Sequence, residues 1–290
     1  MSDTKETVGQ PFAIRLVKLG ISIAFFTITG LGSFLSWVVG KQKKASCVIL
    51  YYHCVEQQHR AQFARQMDVL LRTAVPVRVG GREDLACGSR YAAVTFDDGF
   101  KSVADNAVPE LIKRGIPATI FVTSDLLGQT PGWAGYPGRF MSLEELRELP
   151  RSIIDLGSHT RTHPFLPRLD EQKASDEIGT SRMKLGEMLG TECTLFAFPY
   201  GAFTPGLVNV CRRAGYQRIF TTLPYPANLG PNEFVSGRVT VEPTDWQIEF
   251  ALKLRGAYRW LPLAFDAKRK LKSLLVRKAE FTRPLGHPSG

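Results

Sequence analysis

Ala92-Ala93-Val94-Thr95-Phe96-Asp97-Asp98-Gly99-Phe100 is the stretch whose reading decides the fold of this 290-residue chain. A run without charge ends abruptly in two carboxylates and a glycine. A short, continuously apolar run reads as a strand covered on both faces, the habit of parallel sheets flanked by helices. The end of such a strand is where an α/β fold carries its chemistry. Adjacent side chains leave an extended backbone in opposite directions, so Asp97 and Asp98 face different surroundings. One can then hold a metal ion while the other faces another part of the pocket. Gly99 permits the tight turn that follows. Taken alone, Asp-Asp-Gly is explained better by a turn or a helix N-cap.

Outward from this stretch, short apolar runs alternate with helical patterns. Strands are expected over 48–52, 92–96, 118–122, 153–156, 195–198 and 218–221. Helices are expected over 62–72, 102–114, 143–149, 171–189, 205–214 and 245–254. A βαβα order means an α/β barrel or a doubly wound sheet. Six or seven parallel strands with chemistry at their C-terminal ends favour a distorted, incomplete (β/α) barrel. Periodicity alone does not choose between the two.

A second polar cluster, Gly157-Ser158-His159-Thr160-Arg161-Thr162-His163-Pro164, follows another expected strand. Imidazoles at i and i+4 would share one face of a helical turn and present two nitrogens to one ion. Two of the five histidines in the chain sit here. The zinc-protease pattern needs Glu beside the first His, and Thr160 stands there instead. Two His and a carboxylate also describe non-haem iron oxygenases. The second Asp, the strand-end placement and the compact spacing fit hydrolysis better.

Together these residues resemble the polysaccharide deacetylase family, the NodB-homology domain of carbohydrate esterase family four. Its first motif matches Thr95-Phe96-Asp97-Asp98-Gly99 and its second matches Ser158-His159-Thr160-Arg161-Thr162-His163. Its third resembles Phe198-Pro199-Tyr200-Gly201. The resemblance implies a domain over 45–255, with a tail and anchor over 1–44 and an aromatic, basic extension over 256–290. It implies that Asp98, His159 and His163 hold a divalent metal, usually zinc, with Co2+, Ni2+ or Fe2+ as alternatives. Asp97 would be the general base, and the metal with the Tyr200 backbone N–H would meet the oxyanion, next to Pro199.

Two features depart from the family pattern. Ala197 stands where many members have an Arg that pairs with the base, and the late Leu-x-His motif that supplies the acid is not evident. His53, ending Ile49-Leu50-Tyr51-Tyr52-His53, resembles the early Tyr-His of the poly-N-acetylglucosamine deacetylase subgroup. It is therefore expected to be the acid. Trp133 and Tyr136 lie in a Gly/Pro-rich loop suited to stacking on a sugar. The expected activity is N-deacetylation of a GlcNAc-type polysaccharide or glycolipid. Deacylation of a lipid-linked sugar, or a carbohydrate-binding pseudoenzyme of the same fold, are the alternatives.

The rest of the chain adds a location. The formal net charge of +10 divides into +4 over 1–44, +5 over 266–290 and only +1 between them. Charge on the flanks suits an anionic membrane surface and speaks against nucleic acid as a partner. Residues 19–40 are 22 positions without a charge, and a helix of that length crosses a hydrocarbon core of about 30 Å. A single-pass anchor follows as the expectation, with a monomeric catalytic domain outside the cytoplasm. Lysines on both sides of the span leave its orientation open. Tyr258–Phe265 and the Lys/Arg-rich stretch after it suggest an interfacial C-terminus. Five scattered cysteines without C-x-x-C spacing exclude a disulfide framework.

Overall fold

The computed structural model describes residues 11–39, 45–81, 85–132, 138–225 and 227–264. A long helix, α1 (Phe12–Val38), precedes the sheet. The body then runs β1 (Ser46–Tyr52), α2 (Arg60–Thr73), β2 (Val75–Pro76), β3 (Arg90–Phe96), α3 (Val108–Arg114) and β4 (Ala118–Val122). It continues with α4 (Leu143–Glu148), β5 (Ile154–Ser158), α5 (Glu171–Leu189), β6 (Leu195–Ala197), α6 (Pro205–Arg213) and β7 (Arg218–Phe220). Two short strands, β8 (Val235–Ser236) and β9 (Val239–Thr240), and helix α7 (Gln247–Leu254) complete the described elements.

All strand pairings are parallel, in the order β8-β7-β6-β5-β4-β3-β1-β9, with β2 added beside β3. β8 and β9 lie at opposite ends of this sheet, yet only Gly237 and Arg238 separate them in sequence. Three peptide steps reach at most about 11 Å, so the sheet must curl until its two ends meet at this one segment. The result is a curled, incomplete barrel. The six expected strands are all present; the three missed ones have two residues each, too few to show a period. The expected helix over 102–114 is divided into a π turn at Val103–Ala107 and α3. Pro109 lacks an N–H and crowds the preceding turn, which removes one regular i→i−4 bond.

The strands bury both faces, but not equally. Ala92, Val94 and Phe96 of β3 join the large layer beneath the helices. Ala93 instead joins Cys47, Ile49, Phe121, Ala197 and Phe220 in a smaller cluster inside the curl. The period of two along a strand therefore sends residues 93, 95 and 97 inward and 92, 94 and 96 outward. Asp97 lies on the inward row. Buried Arg218 donates to the carbonyls of Val79, Gly81, Leu229 and Gly230, closing the curl at the N-terminal ends of the strands. The open end is the C-terminal one, where the motifs converge. All five cysteines are free thiols, three of them buried.

Candidate active site

Each of the three motifs follows the end of a strand at this open end. After β3, Asp98 adopts φ 70° and Gly99 φ 81°, while the Gly99 N–H donates to the Asp97 carbonyl at 2.9 Å. This reversal turns the two neighbouring carboxylates to different partners. Asp98 Oδ1 lies 3.4 Å from His159 Nε2 and 3.3 Å from His163 Nε2. Ligand atoms about 2.0–2.1 Å from one tetrahedral ion are about 3.3–3.4 Å from each other. The buried Asp98 Oδ1 accepts no hydrogen bond among the described residues. The His159 Nδ1 pairs with the Ala197 carbonyl at 2.8 Å, the outer contact that leaves Nε2 as the lone-pair donor of a metal-binding imidazole. Spacing, burial and lone-pair direction together fit a divalent ion held by these three residues.

Electrostatics separate the two aspartates. Burial works to raise the Asp97 carboxyl, but the Arg238 guanidinium beside it holds it below the ordinary value. Burial and then the neighbouring Asp97 charge push Asp98 well up. A cation beside Asp98 would reverse that preference, as a metal does to its carboxylate ligands. Burial lowers His159 to about 4 and His163 to about 2, so both rings are neutral near pH 7 and their lone pairs are free for a metal.

The histidines do not share a helical turn, contrary to the sequence expectation. Residues 159–163 form an irregular loop with Thr160 at φ 68° and His163 at φ 61°. Pro164 has no N–H and disfavours right-handed helix at the preceding residue. The loop is held by other bonds. His163 N–H donates to Thr160 Oγ1 at 3.1 Å. Glu177 on α5 accepts from the backbone N–H of Arg161 and of Thr162 at 2.9 and 3.0 Å. Tyr200, also left-handed at φ 58°, brings its ring within 4.7 Å of the His163 ring. Of five non-glycine residues with positive φ among the described residues, four are Asp98, Thr160, His163 and Tyr200. Strain of this kind, roughly 1–3 kcal/mol per residue, persists where surrounding contacts over-determine the backbone.

His53 belongs to the same cluster. Its ring is partly buried beside Tyr51, at a centroid separation of 5.7 Å. Burial lowers its pKa, and the negative charge of Asp97 works the other way. Trp133 and Tyr136 lie outside the described residues, as do the basic stretch 266–290 and the first ten positions.

Arg238 was not legible as a site residue. It occupies the junction between β8 and β9, fully buried, and grips Asp97 with both ends of its fork at 2.6 and 2.8 Å. Its guanidinium also lies over Tyr51 at 4.8 Å and Phe121 at 5.3 Å. The charge partner that Ala197 cannot supply thus arrives from the segment that joins the sheet's two ends. The available signal was a lone Arg inside Val235-Ser236-Gly237-Arg238-Val239-Thr240-Val241, where a charge in an apolar run demands a buried partner.

Comparison with known proteins agrees with this geometry. Residues 86–219 match the family described as polysaccharide deacetylase. The Bacillus subtilis protein YxkH, described as a polysaccharide deacetylase, is 25% identical over 213 residues, 70% of this chain and 74% of its own length. The poly-beta-1,6-N-acetyl-D-glucosamine N-deacetylase of Staphylococcus epidermidis is 28% identical over 141 residues, and the chain spans 48% of its length. The solved structure of IcaB from Ammonifex degensii superposes with a TM-score of 0.60 at 28% identity, covering 73% of this chain and 98% of that one. Residues 86–219 thus carry a polysaccharide deacetylase domain, and relatives of that domain are deacetylases of poly-beta-1,6-N-acetyl-D-glucosamine and of chitooligosaccharides.

Proposed function

We propose that residues 45–255 hydrolyse N-acetyl groups of a GlcNAc-type polysaccharide or glycolipid. The triangle of Asp98, His159 and His163 carries the reading, because three neutral or anionic lone pairs at ligand spacing need a cation. These residues would hold a divalent ion, zinc as the first choice, whose chemistry there would be to polarise the amide carbonyl and acidify water.

The chain's own residues complete the reaction. Asp97 accepts a proton from the water that attacks the acetyl carbon. Its two oxygens are oriented by Arg238, which keeps it ionised at neutral pH. The Tyr200 backbone N–H donates to the carbonyl oxygen as charge develops there, and buried Pro199 holds the preceding backbone. His53 gives a proton to the departing nitrogen, the carbon–nitrogen bond breaks, and acetate and a free amine result. Trp133 is assigned to the sugar-binding side. Helix α1, long and apolar enough to cross a membrane, attaches the chain to one, with the catalytic domain outside the cytoplasm.

The test is amine release across a panel of acetylated glycans, with Asp97→Asn as the control. Release that depends on added divalent metal and is lost in D97N is expected. No release from any glycan after zinc, cobalt and nickel loading would favour a carbohydrate-binding pseudoenzyme instead.

A further inference from the structure

Helix α1 does not lead away from the catalytic domain; its first half is bound to it. Arg15 donates to Glu249 Oε2 at 2.7 Å and to the Thr244 carbonyl at 3.0 Å. Its guanidinium covers the Trp246 ring at 4.3 Å, and Phe12 meets the same ring edge-on at 5.7 Å. The acidic partners are shared: Lys253 reaches Asp245 at 2.6 Å and Glu249 at 3.2 Å. Two turns further along α1, Trp260 Nε1 donates to the buried Ser22 Oγ at 2.9 Å. Leu19 and Phe26 then pack against Leu252, Ala257 and Tyr258. Phe12, Arg15, Leu19, Ser22 and Phe26 recur at three- and four-residue steps, so one face of α1 makes all of these contacts.

Much of the remaining described surface of α1 is apolar and uncovered. Ile14, Val17, Ile21, Ile28 and Leu31 are exposed, and at 3.6 residues per turn they lie on nearly the opposite side from the docking face. This apolar surface suits lipid, and a crossing would have to take in part of the docked half. Beyond Phe26 the helix has 12 residues left before it ends at Val38, about 18 Å at 1.5 Å per residue. The hydrocarbon core is about 30 Å thick. A full crossing must therefore draw in Leu19–Phe26, and with them Trp260 and Tyr258. The Arg15–Glu249–Asp245–Lys253 cluster would then lie about one helical turn from the hydrocarbon, against the bilayer rather than clear of it.

We infer that α1 lies along an anionic lipid surface instead of across the bilayer, with its docking face on the catalytic domain and its opposite face in the acyl boundary. The stripe of exposed isoleucine, leucine and valine lies opposite the docking face, and the positive charge concentrated in 1–44 and 266–290 suits an anionic lipid surface. Trp260 at the seam has the amphipathic ring favoured at headgroup depth, and exposed Leu263 extends the apolar edge. This arrangement holds the open end of the barrel at a set distance and orientation relative to the membrane, since twelve or more residues of α1 move with the domain as one body. The inference rests on membrane attachment as proposed above, and not on the substrate.

Side-specific labelling of the full chain in its native membrane decides the matter. Ser2→Cys and Gln42→Cys are introduced singly in a Cys87→Ser background, because Cys87 is the exposed native thiol. A membrane-impermeant maleimide is applied to sealed vesicles and again after they are opened. Both positions are expected to label from the same side and to the same extent. Labelling from opposite sides establishes a crossing and overturns the inference while leaving attachment intact. Flotation with vesicles of phosphatidylcholine and phosphatidylglycerol is expected to carry the full chain upward. Failure to float, or a mature chain that has lost residue 2, overturns attachment itself and the inference with it.

Discussion

Arg238→Met removes the one guanidinium that holds Asp97. The wild-type pair is fully buried, with both carboxylate oxygens engaged. Methionine fills much of the same volume but leaves Asp97 with no opposite charge at hydrogen-bond distance among the described residues. Removing one member of a buried pair costs about 3–5 kcal/mol, because the remaining charge stays desolvated. The pH dependence carries the sign. In the wild type, Asp97 titrates below the ordinary carboxylate value, so its stabilisation is present above about pH 4 and is lost as pH falls through the lowered folded value. In R238M the burial that already opposes ionisation has no counterweight, and the folded value rises above ordinary. The stability deficit of R238M is therefore largest near neutral pH and narrows as pH falls through the variant's raised folded value toward the wild type's lowered one. Because Asp97 is the proposed base, the acidic limb of the kcat/KM profile also moves to higher pH. Urea unfolding at pH 7 and pH 4, with the pH–rate profile of amine release, measures both. Arg238→Lys keeps the charge without the bidentate fork, and should fall between the two. An acidic limb unmoved in R238M, with equal deficits at both pH values, would refute the coupling of Arg238 to Asp97.

Other outcomes follow from the same geometry. His159→Ala and His163→Ala each lose zinc binding by calorimetry, and metal stoichiometry near one in either variant would remove the cage from consideration. His53→Ala keeps wild-type metal affinity and loses amine release by about 10²–10⁴-fold, the usual weight of a general acid; unchanged turnover would exclude it from that role. Gly237→Ala would place a methyl against the Leu223 carbonyl and within 2.7 Å of the Tyr225 nitrogen, so a loss of roughly 1–3 kcal/mol is expected on thermal unfolding. Because Arg238 follows directly, kcat should fall as well; wild-type kcat in G237A would show that the junction tolerates movement. Gly157→Ala would put a methyl 2.6 Å from the Phe121 ring and should destabilise to a similar degree without changing the acidic limb.

Much of this protein is readable from local sequence, because the signals are local. A continuously apolar run before Asp97 means a buried parallel strand, and the period of two sends Ala93 and Val94 to opposite faces, as the two core clusters bear out. Asp170 and Gly190 bracket α5 as an N-cap accepting from Lys173 N–H and a left-handed C-terminus. The proposed site residues Asp97, Asp98, His159 and His163 are legible because each motif directly follows a strand, and strand ends in this architecture converge.

What remained hidden depends on contacts distant along the chain. The histidines look like a helical pair by spacing, but Glu177, sixteen residues beyond Arg161, holds them in a loop. Arg238 acts on Asp97 across 141 positions, through two strands too short to leave a pattern. Helix α1 reads as a free span by its composition, while its docking to Glu249 joins residues 234 positions apart. Backbone propensity and hydrophobic periodicity are properties of neighbouring residues, so they set the strands and the motifs. A buried charge is placed by whichever partner the closed fold brings to it, and that partner is decided only when the sheet has curled far enough for its two ends to meet.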